Sequence, residues 1–293
     1  MEFGSVITAM ATPFNDSLAV DYARAAELAR FLADNGSAGV LIAGTTGESP
    51  TLTLQERTRL LETVLEAVGD RIMVMAGTGT NSTADSIELT KRAEAIGAHA
   101  ILLVTPYYNK PPQDGLYEHF AAIAAATRLP VMLYNVPGRT AANLLPATVA
   151  RLAEIDNIVA LKEASGNLDQ MSELRRVTPP EFMIYSGDDS LTLPMMACGA
   201  RGVVSVISHV AGNQVRAMCD AVLAGDLDQA RRLHLALHPL AKALFVTTNP
   251  IPVKAALAMI GLPVGGCRPP LSAASERDLA TVRAALGELG LLR

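Results

Sequence analysis

The chain has 293 residues, of which 50% are hydrophobic and 18% charged, and its formal net charge is −5. This composition excludes a disordered protein, and the lack of basic blocks, with only 4% aromatic residues, argues against nucleic-acid and anionic-membrane partners. No apolar run reaches the roughly 20 residues of a membrane-spanning helix, and the three scattered cysteines suit a reducing compartment, so we expect a soluble, cytoplasmic protein.

Eight short apolar runs have the composition of buried strands: Val6–Thr8, Gly39–Ala43, Ile72–Ala76, Ala100–Thr105, Val131–Asn135, Ile158–Lys162, Phe182–Ser186 and Val203–Ile207. Segments with helical spacing separate them, such as DYARAAELARFLADNG and TLQERTRLLETVLEAVG. Alternating strands and helices favour an α/β fold with parallel strands, and eight such units predict a (β/α)8 TIM barrel. The alternative is an open doubly wound sheet, but its G-x-G-x-x-G fingerprint is missing after the first strand.

The last part of the chain has helical patterning and no ninth strand. Its helical segments are roughly Asp226–Leu244, Pro250–Gly261 and Ser272–Leu291. We therefore expect a barrel catalytic domain at residues 1–225 and a C-terminal helical extension at residues 226–293.

Polar residues follow the predicted strands at their C-terminal ends, where barrel enzymes carry their active sites. The segments are GTTGES, GTGTNS, TPYYN, YNVPGR, KEAS, SGDD and SVISH, which begin at residues 44, 77, 105, 134, 162, 186 and 205. The sequence thus predicts that the chemistry lies on one rim of the barrel.

Lys162 is a charged residue in an otherwise apolar strand. Because side chains alternate along a strand, Lys162 would point into the barrel with Ala160 and Ala164, while Leu161 and Glu163 would face the helices. Glu163 would then be poorly placed as a counter-ion. Burial lowers a lysine pKa by as much as roughly 3 to 5 units, which gives an amine able to form a Schiff base with a ketone. The alternative is a lysine that reaches solvent or pairs with a carboxylate.

Three further rim features are candidates for substrate chemistry. The phenol of Tyr134, near the end of the preceding strand, could carry protons, or it could be a core aromatic. The GTTGE turn at residues 44–48 could hold an anion, with a carboxylate as plausible as a phosphate. Arg139 could grip a substrate carboxylate, or it could be a surface arginine.

Two acidic residues and two histidines raise the question of metal binding. Asp188 and Asp189 could be metal ligands or an acid pair, but a cap of the next helix is the more common reason for this pattern. His234 and His238 have the i, i+4 spacing of helical metal ligands, without the H-E-x-x-H pattern. We expect no metal site.

Seven motifs occur in order across essentially the whole chain: GTTGES, TPYYNKP, YNVPGRT, LKEASGN, YSGDDSLTLP, GVVSV and LFVTTNPIPVKAAL. Together they resemble the dihydrodipicolinate synthase family of pyruvate-dependent class I aldolases. The resemblance implies Schiff-base condensation of pyruvate with L-aspartate 4-semialdehyde in lysine and diaminopimelate biosynthesis. It also implies a homotetramer built as a dimer of dimers, with no organic cofactor and no catalytic metal.

The resemblance implies roles for individual residues. Lys162 would form the imine with pyruvate, and Tyr134, Thr45 and Tyr108 would form a proton relay, in which Tyr108 comes from the neighbouring subunit. The remaining residues would bind substrate. Thr46 would bind the pyruvate carboxylate, and Arg139 would bind the carboxylate of the semialdehyde. Gly187 and Val204 would contribute backbone groups and part of the wall of the substrate site.

Lysine-inhibited members of the family bind lysine in a cleft between subunits, with two histidines and an acidic residue. The matching positions here read Leu54, Arg57 and Asp85. The other polar positions of this allosteric cleft are kept: Ser49, Asn81 and Tyr107. We expect weak or absent inhibition by lysine.

Other functions remain as alternatives. N-acetylneuraminate lyase and the 2-keto-3-deoxy sugar acid aldolases share the barrel, the lysine and the tyrosine, but Arg139 and TNPIPVKAAL favour the synthase. A non-catalytic barrel that binds a keto acid would not need the relay. A metal-dependent class II aldolase would need several histidines at the barrel mouth, where the sequence places only His209.

Overall fold

The computed structural model describes residues 3–292. Within them, eight parallel strands follow one another in chain order and close into a barrel. The strands are β1 (Val6–Ala9), β2 (Gly39–Ile42), β3 (Met73–Gly77), β4 (Ala100–Val104), β5 (Val131–Asn135), β6 (Ile158–Glu163), β7 (Met183–Ser186) and β8 (Gly202–Ser205). The predicted (β/α)8 barrel is confirmed.

Helices alternate with these strands and continue beyond the last one. They are α1 (Tyr22–Asp34), α2 (Leu54–Val68), α3 (Thr83–Ile96), α4 (Gln113–Ala124), α5 (Pro137–Thr140), α6 (Pro146–Leu152), α7 (Leu168–Val177), α8 (Thr192–Ala197), α9 (Ser208–Leu223), α10 (Leu227–Ala243), α11 (Ile251–Met259) and α12 (Glu276–Glu288). The three C-terminal helical segments are therefore present, each shorter than its sequence pattern. None of the helices described is long and apolar enough to cross a membrane.

The predicted eighth strand is too long at its C-terminal end. It ends at Ser205, and the Oγ of this residue accepts a hydrogen bond from the N–H of Ser208 at 3.0 Å. That bond tightens the turn into α9, so Ile207 is a helix cap and not a strand residue. An apolar run alone does not distinguish these two states.

The described chain contains two compact units. One unit runs to Val74 and resumes at Ser205, and the other is Met75–Val204. In the first unit, β1 pairs with β2, and α9, α10, α11 and α12 pack on one another. The division into residues 1–225 and 226–293 stays a prediction.

The second unit places the candidate residues Tyr134 and Lys162 side by side on neighbouring strands. Its parallel strands place Val104 opposite Tyr134, Tyr134 opposite Lys162, and Lys162 opposite Tyr185. Parallel strands covered on both faces are apolar throughout, and β5 is buried along its whole length. A lysine in this layer therefore has little access to water.

Candidate active site

Lys162 lies near the C-terminal end of β6, with 6% of its surface exposed. Its Nζ is 4.2 Å from the centroid of the Tyr134 ring, on the neighbouring strand. Burial lowers the pKa of Lys162 to about 8, while the negative charge of Asp189 raises it and the positive charge of Arg139 lowers it further. The prediction of a buried amine with a lowered pKa is confirmed.

Gly187 provides the space that this lysine occupies. A Cβ at this position would lie 3.0 Å from Cε of Lys162, 3.1 Å from its Cγ and 2.8 Å from Cβ of Ala164. Such distances are too short for carbon atoms, so a side chain here would displace the lysine. They also put Lys162 and Ala164 on one face, as the strand alternation predicts.

Glu163 points to the opposite face of β6. Its Oε2 accepts hydrogen bonds from Asn135 at 3.0 Å and from Gln170 of α7 at 3.3 Å, and its Oε1 accepts one from the N–H of Ser165 at 2.5 Å. The carboxylate is thus fully engaged away from the amine. The prediction that Glu163 is not the counter-ion of Lys162 is confirmed.

The two aspartates after β7 have different roles. Asp188 accepts hydrogen bonds from the N–H and the hydroxyl of Ser190, at 3.0 Å and 2.9 Å, so its predicted capping role is confirmed. Asp189 is buried, with 6% of its surface exposed, and its negative charge raises the pKa of Lys162. Sequence reasoning missed this second role, because nothing in the GDD pattern tells which carboxylate turns inward.

The other predicted residues of this unit differ in exposure. Arg139 is exposed on the short helix α5, yet its charge reaches Lys162. Val204 is buried on β8, with 1% exposed. Tyr108 is 90% exposed and has a left-handed backbone, with φ of 75°, whereas the carbonyl of the half-buried Tyr107 accepts a hydrogen bond from Asn81 at 3.2 Å. The ring of Tyr108 therefore points away from its own subunit.

The GTTGES turn belongs to the first unit and follows β2. Thr46 is 2% exposed, and its Oγ1 accepts a hydrogen bond from Nδ2 of Asn249 at 2.9 Å, while Thr45 is half-buried. Ala43 and Glu48, at the two ends of the turn, have left-handed backbones with φ of 50° and 54°. Non-glycine residues adopt this region only where the surroundings enforce it. Asn249 was noticed only as part of a motif, and its partner Thr46 is 203 positions away.

Arg57 occupies a position at which we expect a histidine in lysine-inhibited members of the family, and its side chain is hydrogen-bonded to Ser49. Arg57 of α2 donates hydrogen bonds to the carbonyl oxygen and to the Oγ of Ser49, both at 2.6 Å. Leu54 is the first residue of the same helix, and Asp85 lies in the first turn of α3. The hydroxyl of Ser49 is thus already engaged.

His209 follows the C-terminal end of β8, as the sequence predicts, but backbone groups enclose its ring. It is completely buried in the first turn of α9, where its Nε2 accepts a hydrogen bond from the N–H of Ala11 at 3.0 Å and its Nδ1 lies 2.8 Å from the carbonyl oxygen of Val206. Burial lowers the pKa of His209 to about 4, so the ring stays neutral. Both nitrogens contact the backbone, which assigns His209 a structural role.

The histidine pair of α10 was considered as a metal site because of its i, i+4 spacing. The rings of His234 and His238 are 6.0 Å apart, and residues 3–292 contain no cluster of three His, Cys, Asp or Glu side chains that could hold a metal ion. The absence of a metal site remains a prediction.

Comparisons with known proteins agree with this geometry. A model of the dihydrodipicolinate synthetase family matches residues 2–289. A 4-hydroxy-tetrahydrodipicolinate synthase from Heliobacterium modesticaldum is 56% identical over 291 residues, covering 99% of this chain and 97% of that protein. The structure of DHDPS from Cyanidioschyzon merolae with lysine bound has a TM-score of 0.97 and 49% identity, over 99% of each chain. A dihydrodipicolinate synthase from Acinetobacter baumannii, solved with pyruvate, has a TM-score of 0.97 and 40% identity, over 99% of this chain and 100% of that one.

Proposed function

The chain belongs to the dihydrodipicolinate synthetase family, and from that premise we propose that it catalyses the 4-hydroxy-tetrahydrodipicolinate synthase reaction. In this reaction a lyase of the class I aldolase type condenses pyruvate with L-aspartate 4-semialdehyde. The observation that carries the proposal is the amine of Lys162, which is buried beside the ring of Tyr134 and has a pKa of about 8.

The amine is the nucleophile of the proposed mechanism. Neutral Lys162 attacks the ketone carbon of pyruvate, and loss of water gives an imine, which when protonated takes up the electron pair left as the methyl carbon loses a proton. The resulting enamine attacks the aldehyde carbon of the semialdehyde. The amino group of that substrate then attacks the imine carbon, closes the ring and displaces Lys162, so the free amine is regenerated.

The other residues bind substrate and move protons. Tyr134, Thr45 and Tyr108 carry protons to and from solvent, Thr46 holds the carboxylate of pyruvate, and Arg139 holds the carboxylate of the semialdehyde. Three observations support these roles: the centroid of the Tyr134 ring lies 4.2 Å from the amine, Thr46 is buried in a strained turn, and Arg139 is exposed yet its charge acts on the amine. Gly187 and Val204 form part of the wall of the proposed substrate site.

The assembly is a homotetramer, built as a dimer of dimers, in which each site receives Tyr108 from a neighbouring subunit. The support is the 90% exposure of this aromatic ring and the left-handed backbone that directs it outward. An isolated subunit gains nothing from that conformation. A partner that buries the ring offsets its cost.

Reduction of the imine tests the proposed function. Borohydride added with pyruvate should leave a reduced adduct on Lys162, located by peptide mass spectrometry, and the Lys162→Arg variant should leave none. Turnover is then compared for L-aspartate 4-semialdehyde, N-acetylneuraminate and 2-keto-3-deoxy sugar acids, with and without a chelator. An adduct at another residue, a preference for a sugar acid, or loss of activity with the chelator would refute the proposal.

We expect lysine to inhibit this enzyme weakly or not at all. The cleft positions read Leu54, Arg57 and Asp85, and Arg57 already holds the Ser49 side chain, so a lysine ammonium would meet a fixed positive charge. The check is a titration of initial rate against L-lysine. A complete inhibition curve at modest lysine concentration would contradict the expectation.

A further inference from the structure

Glu48 closes the GTTGE turn in a conformation that its own backbone does not favour. Its φ is 54°, and its side chain is 1% exposed. A carboxylate that leaves water needs partners for both oxygens, and a left-handed non-glycine residue needs outside contacts to stay in place. The partners of Glu48 therefore decide the shape of the turn.

Both oxygens of Glu48 are held from the C-terminal part of the chain. Nζ of Lys254, on α11, lies 2.6 Å from Oε1, and the N–H of Arg268 donates to Oε2 at 2.8 Å. The Lys254 side chain is 3% exposed, and its Nζ also donates to the carbonyl oxygen of Gly266 at 2.7 Å. This ion pair is thus buried in a site built from several segments.

The surroundings of the pair fix it further. The ring of Phe14 lies against both cations, with its centroid 4.2 Å from Nζ of Lys254 and 4.4 Å from Cζ of Arg268. The Arg268 guanidinium makes a bidentate pair with Glu56 of α2, at 2.9 Å and 2.5 Å. Arg268 therefore joins the segment after α11 to Glu48 at the end of the turn and to α2, which follows the turn.

The same C-terminal segment reaches Thr46 directly. Asn249, just before α11, donates from Nδ2 to Oγ1 of Thr46 at 2.9 Å. Because this Oγ1 accepts a hydrogen bond, its own proton is directed elsewhere and is free to be donated to an anion. The hydroxyl is thus oriented by a residue on the segment that carries Lys254.

We propose that Lys254 and Glu48 are positioning residues for pyruvate: their buried ion pair holds the turn that presents Thr46 to the pyruvate carboxylate. This inference rests on the proposed function, because it takes Thr46 as the carboxylate ligand. Neither residue takes part in a chemical step. Loss of the pair relaxes the turn and weakens keto-acid binding more than it slows the steps that follow.

The test is Lys254→Met, which keeps much of the chain length and removes the charge. The apparent dissociation constant for pyruvate, from borohydride trapping at varied pyruvate concentration, should rise about tenfold or more, which corresponds to about 1.4 kcal/mol. The KM for the semialdehyde should change much less. Lys254→Arg, which keeps the charge, should recover part of the loss. The matched control is Arg231→Met, which breaks an exposed ion pair with Asp228 in the same extension.

A purely structural role gives a different result. A lower Tm with unchanged pyruvate affinity in the trapped fraction would overturn the inference, as would equal losses in Lys254→Met and in the control. If Lys254→Met does not fold, Glu48→Gln is measured in the same way and must show the same selective loss. Failure of the unmodified protein to trap pyruvate at Lys162 refutes the proposed function instead, so the two failures are distinguishable.

Discussion

The surroundings of Lys162 act in opposite directions on its charge. Burial is the largest effect and lowers the pKa to about 8, so about one amine in ten is neutral at pH 7. The charge of Asp189 opposes this effect, whereas that of Arg139 adds to it. The face of the Tyr134 ring at 4.2 Å is attractive to the cationic form, which an iminium intermediate shares. The site can thus favour both a neutral nucleophile and a cationic intermediate.

The Tyr134→Phe variant tests proton transfer at the residue scale. It keeps the ring beside Lys162 and removes the hydroxyl, so the rate should fall by roughly 10² to 10⁴ while the fold is retained. The measurements are steady-state turnover and the circular dichroism spectrum. Normal turnover would exclude Tyr134 from the relay.

The Asp189→Asn variant tests the electrostatic balance. Without this negative charge the pKa of Lys162 falls, so the neutral fraction at pH 7 rises and the acidic limb of the rate of imine formation moves to lower pH. The readout is the trapping rate against pH. Asp188→Asn is the matched control, because it removes the charge of the residue that precedes Asp189 and replaces it with another residue that caps helices well. An unchanged or upward-shifted limb in Asp189→Asn would contradict this sign.

At the scale of elements, β6 and β7 explain why the amine is placed so accurately. The period of two along β6 puts Lys162 on one face and Glu163 on the other, and the glycine after β7 leaves the volume that the lysine fills. Accurate placement of this kind is what raises effective concentration in catalysis. The placement of the amine thus depends on where β7 ends as well as on the lysine itself.

The Gly187→Ala variant tests this packing. The added methyl would sit 3.0 Å from Cε of Lys162, so the amine should be displaced by a fraction of an ångström and the rate of imine formation should fall by about 10²-fold. Gly138→Ala is the control, since within residues 3–292 no atom beyond its chain neighbours and its own helix lies within 4 Å of a Cβ there. Trapping rates and Tm are compared. Equal rates in the two variants would show that the methyl group at residue 187 does not displace Lys162.

At the scale of the whole molecule, the outward ring of Tyr108 predicts shared active sites. Tyr108→Phe and Lys162→Ala should each be nearly inactive alone. When the two are denatured and refolded together, a hybrid pair has one site with an intact lysine and a tyrosine from its partner. Random pairing should then restore about a quarter of normal activity. No recovery, with mixed assemblies seen by native mass spectrometry, would mean that Tyr108 acts within its own subunit.

The sequence alone determined the features that depend on local periodicity. Alternating apolar runs and helical segments predict the barrel, because each pattern reflects which face of an element is buried. The period of two along one strand predicts the inward lysine and the outward Glu163, and both are confirmed. The end of the eighth strand was wrong because an apolar run continues unchanged from strand into turn.

Only the tertiary structure decided which distant groups meet. Asp189 rather than Asp188 acts on the amine, His209 is enclosed by backbone groups, and Glu48 pairs with Lys254 from the far end of the chain. The physical reason is that electrostatic and hydrogen-bonded contacts depend on separation in space and on exclusion of water, and sequence spacing fixes neither for residues on different elements. The lysine could therefore be found by reading the chain, whereas the charges that tune it and the pair that shapes the neighbouring turn could not.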